Sequence, residues 1–323
     1  MLLSGIMVFL PANKYASLDA KLNPEIKIYS MPQWCRWVVI IQLFIVYTYA
    51  SIAKIYPDWL DATVIEFMMK GKKNYFLVGD FLQQKWLHYV LAYGGIIFDG
   101  LIIPLLLFKP TRKYAFIASV FFHVFNSIIF QIGIFPYLSL AFSLFFFPSE
   151  KIQKIFLKKK PFFNSKNVVI PKLKTPLIIG FLIYFIIQIG LPLRHHFIDD
   201  NVLWTEEGHR LSWRMMLRSK SGKTTYWVKN KETGIRSYVD LKKYLSKKQI
   251  RAASTKPDVM WQFSQHLKQK FKEDGQNVAV FINSKVSVNG KPYKTFINPD
   301  INIANEEWQI FKHNNWILPS KEE

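Results

Sequence analysis

Cysteine is nearly missing from this chain: there is one, Cys35, in 323 residues. That excludes an intramolecular disulfide framework and any metal cluster built on thiolates. Acidic residues are also scarce, 22 against 43 lysines and arginines, which gives a formal net charge of +21. Such a surplus raises nucleic acid as a partner. No zinc finger and no RNP-type aromatic motif accompanies it. The lysines stand in short loops beside apolar runs, where topology signals and anionic lipid account for them better. No nucleic-acid partner is therefore expected. The chain also lacks a G-x-S-x-G elbow, a P-loop, an H-E-x-x-H pair and a dinucleotide fingerprint. Repeats and low-complexity segments are missing too. The opening MLLSGIMVFL is shorter than the roughly 20 residues a span needs. With no basic n-region and no small-residue cleavage site before Pro11, it is a poor signal peptide. It reads as the end of a longer helix whose beginning is missing.

What the chain does have is apolar residues in blocks. Half of it is hydrophobic, and the blocks point to a membrane protein with the lipid bilayer as its first partner. The expected fold class is a membrane α-helical bundle, about residues 1–195, followed by an α+β, β-rich soluble domain, about 196–323. The first span is expected at Trp34–Ala53, with Trp34 and Trp37 as interfacial anchors. A loop from Lys54 to Lys85 carries an amphipathic piece near Leu60–Met69. The second span, Trp86–Phe108, contains Gly94-Gly95, a pair that permits close helix contact. It also holds Asp99, a mid-span carboxylate that normally faces the bundle interior or a partner. Tyr114–Phe147 is too long for one upright span, and Ile132–Pro136 near its middle would break it into a span and a shorter returning piece. Pro176–Leu193 is the last span.

Charge sets the expected orientation. The positive-inside rule puts Lys109–Lys113 and Pro148–Thr175 on the cytoplasmic face of a cell (inner) membrane. The loop from Lys54 and everything after Leu193 then share the non-cytoplasmic side. Beyond Arg194 the pattern becomes that of a soluble domain. TTYWVKN and IRSYVDL alternate like paired strands around Lys231–Gly234. Pro257–Glu273 places Met260, Phe263, Leu267 and Phe271 on one helical face. Asn277–Val288 and Tyr293–Asn298 read as a hairpin around Asn289-Gly290.

Three places hold chemistry-bearing residues. Lys54 is the first charge after Arg36, and Pro57 stops the helix just beyond it. Desolvation at such a rim disfavours the charged form of an amine, as a base requires; the alternative is a lysine that snorkels to the interface. His123 and Asn126, three residues apart on an apolar helix, share a face, with Gln131 beyond. They can hydrogen-bond a quinone-like ring or simply another helix. If the stretch Trp204–Gly222 is a strand, Arg214, Met216, Arg218 and Lys220 point one way. That cationic row suits carboxylates, or an exposed strand face, or lipid headgroups. His195-His196 is a weak metal hint, because neighbours on a regular element do not aim at one ion.

These stretches together resemble the vitamin K-dependent γ-glutamyl carboxylase family and its bacterial relatives, the HTTM (horizontally transferred transmembrane) proteins. QLFIVYTYASIAKIYPDWL resembles the family's segment with its lysine. FFHVFNSIIFQIGIFPYLSLA is similar to its F-H-x-x-N-S segment, and LSWRMMLRSKSG to the S-W-x-M-M stretch that opens the lumenal domain. AVFINSKVSVNGKPYKTFINPDINI and Trp308…Trp316 match later parts of that domain. The resemblance implies that Lys54 is the base that deprotonates a vitamin K hydroquinone, or a menaquinol-like quinol. O2 and CO2 are then co-substrates, no metal is needed, and a glutamate-containing peptide or protein is the partner that becomes γ-carboxylated while the quinol leaves as its epoxide. It further implies that His123, Asn126, Phe135 and Met215 contact the cofactor and that Arg218 and Arg214 contact the substrate. The family's earlier helices and its Asn-His-x-Tyr-type motif do not occur in this sequence, so an N-terminally truncated member is expected. The lone cysteine leaves no partner for the inter-segment disulfide of animal members. A relative that only epoxidises, and a non-catalytic quinone- or lipid-binding scaffold, stay open as alternatives.

Overall fold

The structure, a computed structural model, describes residues 2–11, 13–15, 17–160 and 173–320, without the side chains of 2–4. Met1 and residues 161–172 of the expected basic loop Pro148–Thr175 lie outside the described residues. Four described helices are long and apolar enough to cross a membrane: Gln33–Ile52, Lys85–Leu107, Arg112–Phe130 and Lys174–Phe197. The shorter apolar piece Phe135–Phe146 follows the third. Spans and returning piece therefore fall where the apolar runs put them.

In chain order the helices begin with α1 (Leu2–Phe9), α2 (Leu18–Leu22) and α3 (Gln33–Ile52). Two short helices, α4 (Pro57–Leu60) and α5 (Thr63–Lys70), precede α6 (Lys85–Leu107). Then come α7 (Arg112–Phe125), α8 (Phe135–Ser143), α9 (Ser149–Phe156) and α10 (Lys174–Leu193). The C-terminal part holds α11 (Val202–Thr205), β1 (Lys220–Asn230), β2 (Arg236–Tyr238), α12 (Lys247–Ala253), α13 (Pro257–Glu273), β3 (Val278–Val288) and β4 (Lys294–Thr295). Proline and left-handed residues explain the breaks. Tyr56 is extended (φ −151, ψ 159) before Pro57, which starts α4 rather than continuing α3. After α7 the helix loosens into a π turn, Asn126–Phe130. It stops at Gln131 and Gly133, both at positive φ, and Pro136 lies in the first turn of α8.

The chain forms two compact units. The helical unit comprises Met1–Thr48 and Phe98–Ile187. Its core is a stripe of α3, Val39, Ile40, Leu43 and Tyr47, against Ile102, Ile103, Leu106, Ala115 and Phe146. Spacings of one, three and four residues put that stripe on one helical face. A second cluster joins Ile6, Leu10, Cys35 and Val38 to Phe181 and Tyr184, and the Tyr184 hydroxyl donates to Gln42 Oε1 at 2.6 Å. In lipid such contacts act through close packing and hydrogen bonds rather than removal from water.

The mixed unit comprises Tyr49–Ile97 and Gln188–Glu323. Its sheet has the order β2-β1-β3-β4, and every pairing is antiparallel. β1 and β3 pair along their whole length, from Lys220 opposite Val288 to Asn230 opposite Val278. Tyr226 and Val228 of β1 and Val280, Ile282 and Val286 of β3 face the core, where α13 adds Met260, Phe263 and Leu267. Trp204, Phe296 and Trp316 complete it. Glycine at 222 is required: a Cβ there would lie 1.8 Å from the Ser254 carbonyl oxygen. The two expected hairpins and the α13 helix are in place.

One expectation fails. Residues 214–219 are not a strand. Leu211, Trp213 and Met216 all have positive φ, so the backbone turns repeatedly, and β1 starts only at Lys220. Arg214, Met216, Arg218 and Lys220 therefore do not form one row. Each such left-handed non-glycine residue costs about 1–3 kcal/mol, and such strain concentrates at functional segments.

Candidate functional site

Lys54 lies two residues past the end of α3 and is buried, 8% exposed. Its Nζ donates to the Ala50 carbonyl oxygen at 3.0 Å. It also sits over the Trp59 ring, 5.6 Å from the centroid. The first contact is with a carbonyl of the last turn of α3 and the second with an aromatic face. Trp59 is itself buried and anchored, its indole N–H donating to the Ala92 carbonyl at 2.9 Å. Ser51 bonds the Ile96 carbonyl at 2.9 Å. Gly95 faces this site: a Cβ there would be 3.7 Å from both Lys54 Cε and Trp59 Cζ2. Gly95 thus packs against the lysine stem and the indole, while Gly94 has nothing near it. A snorkelling lysine keeps its head in water; this one is enclosed.

The turn that follows is tied to the sheet. The Tyr56 hydroxyl donates to the Leu217 carbonyl; burial, then Asp58, raises its pKa above the ordinary tyrosine value. Asp58 accepts from Asn289 Nδ2 at 2.9 Å and Lys291 Nζ at 2.8 Å. Burial works against its charge, yet those two donors outweigh it and hold the Asp58 carboxyl below the usual range.

A second buried group gathers around Glu206, which takes a left-handed conformation just after α11. Arg218 Nη2 lies 2.8 Å from one carboxylate oxygen and Lys220 Nζ 3.5 Å from the other. Lys220 also donates to the Trp204 carbonyl at 2.6 Å and lies 3.9 Å from the Phe296 ring centroid. One carboxylate thus faces two cations, and Arg218 is the nearer. Burial opposes the charge on Glu206, but Lys220 and then Arg218 overcome it and lower its pKa. Burial, only partly offset by Glu206, pushes Lys220 down to about 7. Burial and then Arg218 push His209 to about 3, which keeps it neutral. The Nε atoms of Arg214 and Arg218 are buried without a hydrogen-bond partner.

Arg214 goes elsewhere, its Nη1 donating to His195 Nε2 at 3.1 Å while His195 Nδ1 donates to the Pro192 carbonyl at 2.7 Å. That arrangement uses both imidazole nitrogens of His195. Gly208 allows the approach, since a Cβ there would meet His195 Cβ at 2.8 Å. Met215 is half-buried and Met216 exposed. Among the described residues no group of three or more His, Cys, Asp or Glu is placed to hold a metal ion.

In the helical unit, His123 is buried and its Nε2 lies 2.9 Å from the Tyr47 hydroxyl. The rings of Phe122, Phe98 and Phe135 surround the imidazole at 5.5, 5.7 and 6.4 Å between centroids. The structure thus brings His123 and Phe135 together. Asn126 is half-buried and opens the π turn, its N–H donating to the His123 and Phe122 carbonyls. Asp99 is buried, as a carboxylate in a span requires.

Sequence reasoning missed Glu206, Tyr56 and Tyr47. Only Glu206 left a signal, as half of an acidic pair in an acid-poor chain just before the basic run from Arg210. Comparison with known proteins now bears on the geometry. No solved structure matches the chain. Residues 1–150 match the family model of the HTTM domain, and residues 173–323 match that of the vitamin K-dependent gamma-carboxylase lumenal domain. Two domains in this order, on four apolar helices and a small antiparallel sheet, make the chain a membrane protein of the vitamin K-dependent gamma-carboxylase family.

Proposed function

We propose that the chain is a vitamin K-dependent carboxylase/epoxidase-type membrane enzyme in which Lys54 is the general base. The family implies a vitamin K cofactor, and the residues present suit one. The Tyr47–His123 pair is a polar point within the rings of Phe98, Phe122 and Phe135, the kind of setting that a planar quinol ring requires. When bound, reduced vitamin K supplies the electrons for O2 and the strong base that removes a glutamate γ-proton for CO2 addition.

The chain's own part begins at Lys54 Nζ, which accepts the quinol proton. The Ala50 carbonyl orients the amine and, with the Trp59 face, stabilises the ammonium that results. The enclosure that Trp59 and Gly95 form keeps water from the proton-transfer step. His123, Asn126, Phe135 and Met215 are assigned to the quinol. The unpartnered Nε donors of Arg214 and Arg218 are assigned to the carboxylate of a glutamate-containing peptide or protein. In this reading residues 1–195 are the membrane part, and residues 196–323 are extracytoplasmic at the cell membrane, with Lys54 on the same face.

The carrying observation is the burial of Lys54 against Ala50 and Trp59. The test is incubation of the purified protein in lipid with reduced vitamin K, O2, labelled CO2 and a glutamyl peptide. Epoxide together with labelled peptide is the expected result. Epoxide alone makes the protein an epoxidase without carboxylation. Neither product makes it a quinone- or lipid-binding scaffold and overturns the enzymatic reading.

A further inference from the structure

We infer that Asn289 is a positioning residue that locks the turn after Lys54 to the segment carrying Arg218, so that the base and the carboxylate-binding donors act in register. This rests on the functional reading above, but the observations are geometric. Val288–Lys291 is a tight turn in the connection from β3 to β4, closed by the Lys291 N–H to the Val288 carbonyl at 3.1 Å. Asn289 and Gly290 are both left-handed, at φ 54 and φ 77. Asparagine and glycine are the residues that such a turn favours. The turn alone leaves the asparagine side chain free to face water; here Asn289 is 4% exposed.

Its polar groups divide between two distant segments. Oδ1 accepts from the Ser219 N–H at 3.0 Å, and its own N–H donates to the Ser219 carbonyl at 2.8 Å. Nδ2 donates to Asp58 Oδ2 at 2.9 Å. Ser219 stands between Arg218 and Lys220, and Asp58 stands four residues after Lys54 and next to Trp59. One side-chain amide therefore spans from the turn that shapes the Lys54 enclosure to the segment that holds Arg218. Two further contacts stiffen the junction: Lys291 on the other oxygen of Asp58, and Tyr56 on the Leu217 carbonyl. Gly290 packs so closely that a Cβ would reach Phe67 ring carbons at 2.9 Å, which pins the turn against α5.

The chemistry at the junction is directional, and that makes it testable. Asn289→Asp keeps the left-handed turn and the acceptor for Ser219, but it removes the donor and sets two carboxylates against each other. Adding Asp58→Asn restores a donor facing an acceptor with the roles exchanged. In proteoliposomes of the full chain, we expect Asn289→Asp to lower peptide carboxylation per epoxide formed by roughly tenfold to a hundredfold, the range for a misplaced reacting geometry. The KM for the quinol should stay unchanged. The Asp58→Asn/Asn289→Asp protein should recover to within about threefold of the parent, as coupled neighbours do in a double-mutant cycle. A purely structural turn residue does not move the product ratio.

Amide hydrogen exchange gives an activity-independent reading. Asn289→Asp should speed exchange by about tenfold in both 54–62 and 217–220, with reversal in the double variant. A change confined to the β3–β4 turn, or an unchanged product ratio in an active protein, overturns the inference. A parent that makes no epoxide instead ends the enzymatic reading, and the exchange data then still show whether the two segments are joined, so the two failures are told apart.

Discussion

Lys54 and Lys220 are both buried lysines of the mixed unit, and each amine donates to a backbone carbonyl beneath an aromatic ring. They differ in where the chain puts them. Lys220 opens a strand inside a soluble-type core, in a group where one carboxylate, Glu206, answers two cations. Lys54 sits at the end of a span, in an enclosure made by its own helix, the Trp59 indole and Gly95. Burial alone therefore does not mark a base. The Glu206 group joins the end of α11 to Arg218 and Lys220 through two ion pairs and a hydrogen bond. In the proposed function the Lys54 enclosure receives a lipid-soluble reactant at the end of a span.

The largest expected effect separates the two at once. Lys54→Met keeps the stem and removes the amine. Epoxide formation should fall by at least about 10²–10⁴-fold, the usual contribution of a general base, or roughly 3–5 kcal/mol of barrier. Folding and insertion should stay normal by gel filtration and thermal unfolding in detergent. Next comes Glu206→Gln, which leaves Arg218 and Lys220 buried without their counter-charge. A loss of about 3–5 kcal/mol in stability is expected for breaking such a group, read as a large drop in unfolding temperature. If Glu206→Gln leaves stability intact while Lys54→Met unfolds the protein, the comparison is reversed.

A smaller effect is carried by pH. Lys220 has a folded-state pKa of about 7, below the ordinary lysine value of 10.5. Between those values the unfolded chain binds a proton that the folded chain does not. Its contribution to stability is therefore full above about 10.5 and is lost as pH falls towards 7, by up to about 1.4 kcal/mol per pH unit. Lys220→Met should remove that slope when unfolding is compared at several pH values, and an equal slope in parent and variant would count against the assignment. Smallest of all is Gly95→Ala. Its methyl group meets Lys54 and Trp59 at ordinary contact distance, and alanine favours the helix by up to about 1 kcal/mol. Stability should hold or rise slightly, and epoxide formation should persist.

What the sequence disclosed followed from local signals. The spans, the break near Gly133, the Asn289-Gly290 turn and the α13 stripe all rest on residues close together in the chain, whereas α3 ends at Ile52, before Lys54 rather than at Pro57. The position of Lys54 was legible for the same reason. Its enclosure was less so: Gly94-Gly95 suggested helix–helix contact, whereas Gly95 faces a lysine stem and an indole. The pairing of β1 with β3 joins strands separated by α12 and α13, and no local pattern encodes that register. Residues 213–220 looked like a strand because charge and apolar residues alternate, but the left-handed backbone at Trp213 and Met216 breaks the alternation. That is why Arg218 and Lys220 converge on Glu206 while Arg214 turns to His195. The ties from Asp58 to Asn289 and Lys291 lie more than two hundred residues apart in sequence, beyond any spacing argument.

Chemical rescue tests the central claim most directly. Lys54→Ala removes the amine and leaves space beside Trp59. In proteoliposomes supplied with reduced vitamin K and O2, small primary amines added to this variant should restore part of the epoxide formation. The restored rate should rise with amine basicity, as general-base catalysis requires. A Lys54→Ala protein that forms epoxide at the parental rate without added amine would contradict the account.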